Sequence, residues 1–501
     1  MSSNGHLTAA AIRSRLSHPI VDADGHWVEF GPVVREHLRK IGGDQAVNGF
    51  SWFGSRVMKH LSMSVAERQD QRLAQEAFWA LPSKNTRDRA TAMMPQLLYE
   101  RMDELGLDFS VLYPTVGLGI AQIPDDDMRR TTCRAFNTYT ADVFQKFADR
   151  MTPAAVIPMH TPDEAIAELE HVTKQLGFKV VMLWSMIRRP IPAHLAKHPE
   201  MNQLAIWFDT LGLDSSYNYD PVWAKCAELR VSPTFHTGSR GYGLRLSPSN
   251  FTFNHIGHFA VAHEAVCKAL FLGGVTRRFP QVKFGFLEGG AGWACQLYAD
   301  LIGHWEKRHL EALEAVNPKN LNRELLLQFA EKYASADMLA AMRQQSPRQD
   351  SSSQLPWEAS AVGGIENLDD YSACHIERKS DLNELFTSKF YFGCEADDPM
   401  NAWAFSRKNN PFGARINALF GSDIGHFDVP DMTGVVPEAY ELIEDDLVSE
   451  ADFRDFTFAN AVRFWGEANP NFFKGTVVES AAAAVLAESK AGVEANVAAA
   501  L

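Results

Sequence analysis

Asp24 and His26 stand two apart in the segment Val21-Asp22-Ala23-Asp24-Gly25-His26, at the end of a short apolar run. On extended backbone, side chains two apart point the same way, so a carboxylate and an imidazole leave the chain together. Groups of the same chemistry end three later apolar runs. His236 follows Thr234-Phe235, Glu288 follows Phe286-Leu287, and Asp423 follows Gly421-Ser422, with His426 three residues on. Two imidazoles and two carboxylates, His26, His236, Asp24 and Asp423, are a good donor set for Zn²⁺, Fe²⁺ or Mn²⁺. One divalent ion is therefore the expected cofactor. Taken singly these residues have ordinary explanations: an Asp-x-Asp-x-His is usually an acidic turn, and a lone His a hydrogen-bonded core residue. Their placement at the ends of separate apolar runs points to a metal.

Such groups converge only if the runs are strands of one sheet. Eight runs qualify: Pro19–Ala23, Phe109–Pro114, Ala154–Met159, Phe178–Trp184, Ser232–Thr237, Val282–Leu287, Phe390–Gly393 and Asn417–Phe420. They are apolar without alternation, as strands buried on both faces of a parallel sheet are. Helical stretches lie between them. Phe136, Tyr139, Val143 and Phe147 give one an apolar face. Thr161-Pro162-Asp163-Glu164 opens another, which carries Ile166, Leu169, Val172 and Leu176 and closes at Gly177. Eight such units predict an α/β fold, a (β/α)8 barrel with helical insertions, whose chemistry sits at the C-terminal strand ends. The 501 residues are read as a single barrel domain. Residues 31–100 form a helical insertion that leaves strand one at its C-terminal end and covers the mouth, with Trp52, Phe53, Phe78 and Trp79 as apolar cover. Residues 311–385 form a second insertion with a mobile Ser/Gln-rich loop, and 480–501 a peripheral helical tail.

Other residues are candidates for touching a substrate. Trp184, Arg188 and Arg189 follow strand four; Arg240, Arg245 and His255 follow strand five. An Arg fork matches a carboxylate or phosphate, although most loop arginines are simply solvated. His258 and His263 read as helix-packing residues. The formal net charge is −14 and no polybasic block occurs, which argues against nucleic acid and anionic membranes as partners. Six scattered cysteines without a C-x-x-C pair indicate reduced, buried thiols in a cytoplasmic protein. No apolar run is long enough for a membrane span. The expected partners are a small-molecule substrate and further copies of the chain, as a homo-oligomer.

Five segments together resemble the amidohydrolase superfamily, in particular the amidohydrolase-related branch that includes aminocarboxymuconate-semialdehyde decarboxylase. They are VDADGHWVE at 21–29, FHTG at 235–238, GGVTRRFPQVKFGFLEGGAGW at 273–293, LFGSDIGHFD at 419–428 and DFTFANAVRFWGEANPNFFKGT at 455–476. The resemblance spans residues 19–30 and 105–480. It implies that Asp24, His26, His236 and Asp423 are the metal ligands, with Asp24 replacing a His of many members. Strand four offers neither a Lys nor a carboxylate, which implies a mononuclear site. Decarboxylases of this branch carry a His where this chain has Glu288. A carboxylate there suits proton removal from an activated water, so Glu288 and Asp423 are the expected catalytic groups and His426 a substrate contact. Hydrolysis of an acyl-type bond in a small carboxylated or aromatic molecule is the favoured expectation. Metal-dependent non-oxidative decarboxylation of an aromatic or enoic acid is the alternative, and a barrel that binds without chemistry is a third reading.

Overall fold

The computed structural model describes residues 7–76, 83–202, 204–239, 241–317, 320–344 and 365–500. Phe78, Trp79, Arg240 and the expected Ser/Gln-rich loop lie outside them. The chain divides into two compact units, one reaching Leu297 and resuming at Asn383, the other Tyr298–Leu382. The smaller unit is helical. Its helices Arg323–Tyr333 and Ala336–Gln344 pack together, and Tyr371 donates to the Leu301 carbonyl at 2.7 Å.

The larger unit is built on eight parallel strands in chain order: β1 (Val21–Trp27), β2 (Phe109–Pro114), β3 (Met151–Val156), β4 (Val180–Leu183), β5 (Pro233–Phe235), β6 (Phe284–Phe286), β7 (Phe390–Glu395) and β8 (Asn417–Gly421). Each pairs in parallel with the next. The seam between β8 and β1 closes by main-chain bonds, Asp423 N to the Asp24 carbonyl at 2.9 Å and His26 N to the Ile424 carbonyl at 3.0 Å. The result is the expected (β/α)8 barrel.

Most strand boundaries differ from the sequence reading, those of β1 and β3 by the most. β1 continues through Asp22-Ala23-Asp24-Gly25-His26 to Trp27, entirely buried, so the expected ligand pair lies within the strand. A register shift between Asp22 and Gly25 marks a bulge, the device that re-aims side chains at barrel rims. A Cβ at Gly25 would lie 2.5 Å from Asp22 Oδ2 and 2.9 Å from Ser110 Oγ, so only glycine fits. β3 starts earlier than expected, at Met151, because Ser110 and Val111 pair with Met151 and Thr152.

Asp22 ties the barrel ends together. Its carboxylate accepts from Ser110 Oγ (2.7 Å), Ser422 Oγ (2.8 Å) and Ser422 N (2.9 Å), and burial pushes its pKa up to about 6. The helix Pro162–Glu170 has the predicted entry: Glu164 N donates to Thr161 Oγ1 while Thr161 N donates to the Glu164 carboxylate, a capping box. The helix Asp126–Phe144 buries Phe136, Tyr139 and Phe144, one residue beyond the predicted Val143. The terminal helix Glu479–Ala500 buries Ala482 and Val485, so its first turns are packed rather than peripheral. All six cysteines are buried and none is in a disulfide. Among the described residues no helix is long and apolar enough to cross a membrane.

Candidate metal centre and active site

β1, β5 and β8, with the turn after β6, bring the separated donors to one point. His26 Nε2 lies 3.1 Å from His236 Nε2, 3.6 Å from Asp24 Oδ1 and 3.4 Å from Asp423 Oδ1. His236 Nε2 lies 3.3 Å from Asp24 Oδ1 and 3.4 Å from Glu288 Oε2. All five residues are at most 9% exposed. The donors form two overlapping groups, Asp24–His26–His236 and His26–Glu288–Asp423–His426. Ligands bonded at 2.0–2.1 Å to one ion are about 3.0–3.4 Å from their neighbours by elementary polyhedral geometry, close to the separations found here. Asp24 Oδ1 is buried and accepts no hydrogen bond, a costly state for a carboxylate unless a cation meets it. The residues fit a divalent ion.

Electrostatics agree. Burial, with His426 and His236 adding, pushes the His26 imidazole well below its ordinary pKa, so its ring is neutral and keeps a lone pair for a metal. The carbonyls of Tyr113 and Pro114 lie against that ring and help fix its orientation. Burial likewise takes His426 down to about 3. Burial first, then the Glu288 charge, pushes Asp423 well above the usual carboxylate range. Glu288 and Asp423 both hold left-handed backbone, φ +57° and +46°, rare outside glycine and concentrated at functional sites.

His426 lies under His26 with ring centroids 3.8 Å apart, its Nδ1 2.7 Å from Asp423 Oδ1 and its Nε2 3.4 Å from Thr115 Oγ1. Beside the donors opens a cavity of about 480 Å³ lined by Phe251, His255, His258, Phe259, Glu288, Glu395, Asp398, Phe427 and Asp428 among others, with no Lys or Arg among the described residues. Ring contacts run outward from the centre. His236 meets Phe259 at 5.4 Å, Phe259 meets His258 at 4.1 Å, His258 meets His255 at 4.7 Å, and His255 meets Phe427 at 5.7 Å.

His255, expected to touch substrate, lines the cavity, and so does His258, read as a packing residue. His263 keeps its packing role, fully buried with Nε2 accepting from Thr237 N at 3.4 Å. Arg188 and Trp184 are not brought there. Arg188 sits on an antiparallel strand pair, Ile187–Pro190 with Ile206–Asp209, its guanidinium 5.7 Å from the Tyr242 ring. Trp184 donates to the Leu118 carbonyl at 2.7 Å. Arg189 is consumed structurally by Asp209, Tyr219 and the His160 carbonyl, each at 2.8 Å. Phe251, Phe259, Phe427 and Asp398 were not foreseen: they lie on loops, a five-residue helix or a mostly apolar helix, where no spacing marks them.

The helical insertion after β1 meets the loop that carries the cavity residues. Gln75 N donates to the Ser247 carbonyl (2.8 Å), Arg68 Nε to the Pro248 carbonyl (2.8 Å), and Asn254 Nδ2 to the Gln75 carbonyl (3.0 Å).

Comparison with known proteins gives a family and a set of similar structures. The sequence model of the amidohydrolase family matches residues 21–317. An amidohydrolase from Mycobacterium avium subsp. paratuberculosis K-10 is 17% identical over 90% of this chain and 100% of its own, with a TM-score of 0.49. A dihydroxybenzoic acid decarboxylase from Polaromonas sp. JS666, solved with manganese and 2-nitroresorcinol, is 15% identical over 91% and 99%, with a TM-score of 0.48. A 5-carboxyvanillate decarboxylase from Novosphingobium aromaticivorans, solved with manganese, is 14% identical over 90% and 97%, with a TM-score of 0.48.

Proposed function

The chain belongs to the amidohydrolase family, a family of metal-dependent enzymes, and from that premise we propose that it is a carboxy-lyase that removes CO₂ from a small aromatic acid. This reverses the order drawn from the sequence, where hydrolysis came first. The carrying observation is the cavity: aromatic rings in contact lead from His236 outward, and no Lys or Arg stands among its described walls. A flat ring fits such walls by stacked and edge contacts. A carboxylate held where no side-chain cation stabilises it is raised in energy relative to its carbanion-like transition state.

Asp24, His26, His236 and Asp423 would hold a divalent ion, which would supply Lewis-acid chemistry to the substrate's oxygen atoms. The chain's residues supply the rest. Phe259 and Phe427 orient the ring and exclude water. Asp423, with His426 Nδ1 2.7 Å from its Oδ1, delivers the proton that the ring carbon takes. In the reaction the bond from ring carbon to carboxylate breaks, its electron pair stays on carbon, carbon gains that proton, and CO₂ leaves.

Hydrolysis stays as a second reading because Glu288 carries a carboxylate 3.4 Å from His236 Nε2, suited to accept a proton from water. Turnover of a panel of aromatic acids and esters in D₂O and in H₂¹⁸O separates the two. CO₂ release with deuterium on the ring supports decarboxylation. Heavy oxygen in a new carboxylate without CO₂ overturns it in favour of hydrolysis.

A further inference from the structure

We propose that Asn254 is a positioning residue for the substrate: through its side-chain amide, the insertion after β1 holds the helical turn Phe251–His255 at the cavity wall. This role rests on the reading that the cavity seats the substrate, and not on which reaction follows.

The turn cannot hold itself. It is a helix of five residues, and so short a helix has little stability of its own in water. Its N-cap is local, Asn250 Oδ1 accepting from Phe253 N at 2.8 Å. Yet the turn presents Phe251 and His255, four apart and so on one face, to the cavity. Both rings meet Phe427, at 5.9 and 5.7 Å between centroids, and meet each other at 4.9 Å. Phe253 points to solvent, 55% exposed. Asn254 is the one residue of the five that is fully buried, so the turn is anchored there.

Both N–H groups and the oxygen of that amide are engaged, and their partners lie on two separate segments. Oδ1 accepts from Ser247 N at 2.6 Å. Nδ2 donates to the Ser247 carbonyl at 2.9 Å and to the Gln75 carbonyl at 3.0 Å. Gln75 N donates to the same Ser247 carbonyl at 2.8 Å. Asn254 thus ties the cavity loop to the insertion through main-chain groups of both.

Arg68 locks the insertion's side of this joint. It is buried, and it donates from Nε to the Pro248 carbonyl at 2.8 Å, from Nη1 to the His60 and Met63 carbonyls, and from Nη2 to Gln75 Oε1. A buried polar network whose members are satisfied rigidifies what it joins. Here it joins the insertion to the turn that carries two cavity walls, and so fixes where Phe251 and His255 stand against a bound ring. Aspartate keeps the shape of asparagine but, when ionised, has no donor. Asn254→Asp therefore sets a carboxylate oxygen against the Ser247 and Gln75 carbonyls without changing the packed volume.

Full-length protein loaded with Mn²⁺ tests this as wild type, Asn254→Asp, Arg68→Met and the double variant. The probes are benzoate, 4-hydroxybenzoate, 2-aminobenzoate and their methyl esters. Calorimetry gives Kd for each, and kcat and KM are measured for those that turn over, beside metal content. Asn254→Asp is expected to raise Kd and KM about tenfold, the worth of one aromatic contact, with kcat and metal content near wild type, the pattern of lost binding rather than lost chemistry. Arg68→Met, which keeps the apolar stem and removes the donors, is expected to act in the same direction, and it carries the test if the Asp variant folds poorly. The double variant is expected to rise less than the two singles combined, because both release one joint. Wild-type Kd and KM in the single variants overturn the proposal, and so does a loss of metal and kcat together at unchanged KM, which marks a merely structural residue. A wild type that binds none of the probes overturns the reading of the cavity as an aromatic-acid seat, and the role of Asn254 with it.

Discussion

The ring of His426 lies on the ring of His26, 3.8 Å between centroids and 27° between planes, while its Nδ1 reaches Asp423 Oδ1 at 2.7 Å. One residue outside the ligand set therefore steadies a ligand on β1 and partners another after β8. His426→Ala should lower kcat by about 10²–10⁴, the usual worth of a positioned proton-transfer group, while metal content falls far less. Turnover measured beside metal content checks this; unchanged kcat would refute the proton role.

His236 contacts both Asp24 and Glu288, so it is the hub of the donor set. His236→Ala should strip the metal and abolish turnover. Elemental analysis of the wild type should show about one ion per chain, as a single site requires. Full metal content in the variant would remove His236 from the ligands.

Gly238 guards the shape of the cavity. A Cβ there would fall 1.9 Å from His258 Nδ1 and 2.2 Å from its Cε1, closer than atoms can approach. Gly238→Ala should displace the His258 ring and raise KM while leaving metal affinity near that of wild type. A variant with unchanged KM would show that His258 does not shape the substrate's seat.

Glu29 gives a pH signature. Its carboxylate accepts from Val116 N (2.9 Å) and Gly117 N (2.8 Å), yet burial dominates and lifts its pKa from 4.5 to about 7. The folded state therefore binds this proton more tightly than the unfolded state. The resulting stability is fully present below about pH 4.5 and is lost as pH rises through about 7. The shift corresponds to about 3 kcal/mol. Urea denaturation at pH 5 and pH 8 should show wild type losing more stability than Glu29→Gln over that span. Parallel losses would refute the assignment.

Much of this was legible in the sequence. Eight apolar runs marked eight strands because parallel barrel strands are buried on both faces and keep no alternation. The ligand pair of β1 was legible as chemistry and misread as a boundary: Asp22, Asp24 and His26 resemble a polar turn, and only the barrel interior shows that a strand can carry them. Arg188 was out of reach, since nothing in MIRRPIP announces an antiparallel excursion. The cavity walls were equally hidden, because Phe251 and Phe427 come from segments 176 residues apart, and their contact is a product of tertiary folding.

The seam between β8 and β1 has a consequence for how the enzyme is made. The hydrogen bonds that close it, Asp423 N to Asp24 and His26 N to Ile424, come from the very residues that hold the ligands. A metal held there as proposed would act as a clasp between the two ends of a rolled sheet, fastening positions about 400 residues apart, and a link spanning so long a loop removes much freedom from the unfolded chain. During synthesis Asp24 and His26 leave the ribosome long before Asp423, at ordinary elongation rates by tens of seconds. Until then the nascent chain holds half a binding site, so loading the ion belongs to the last act of folding.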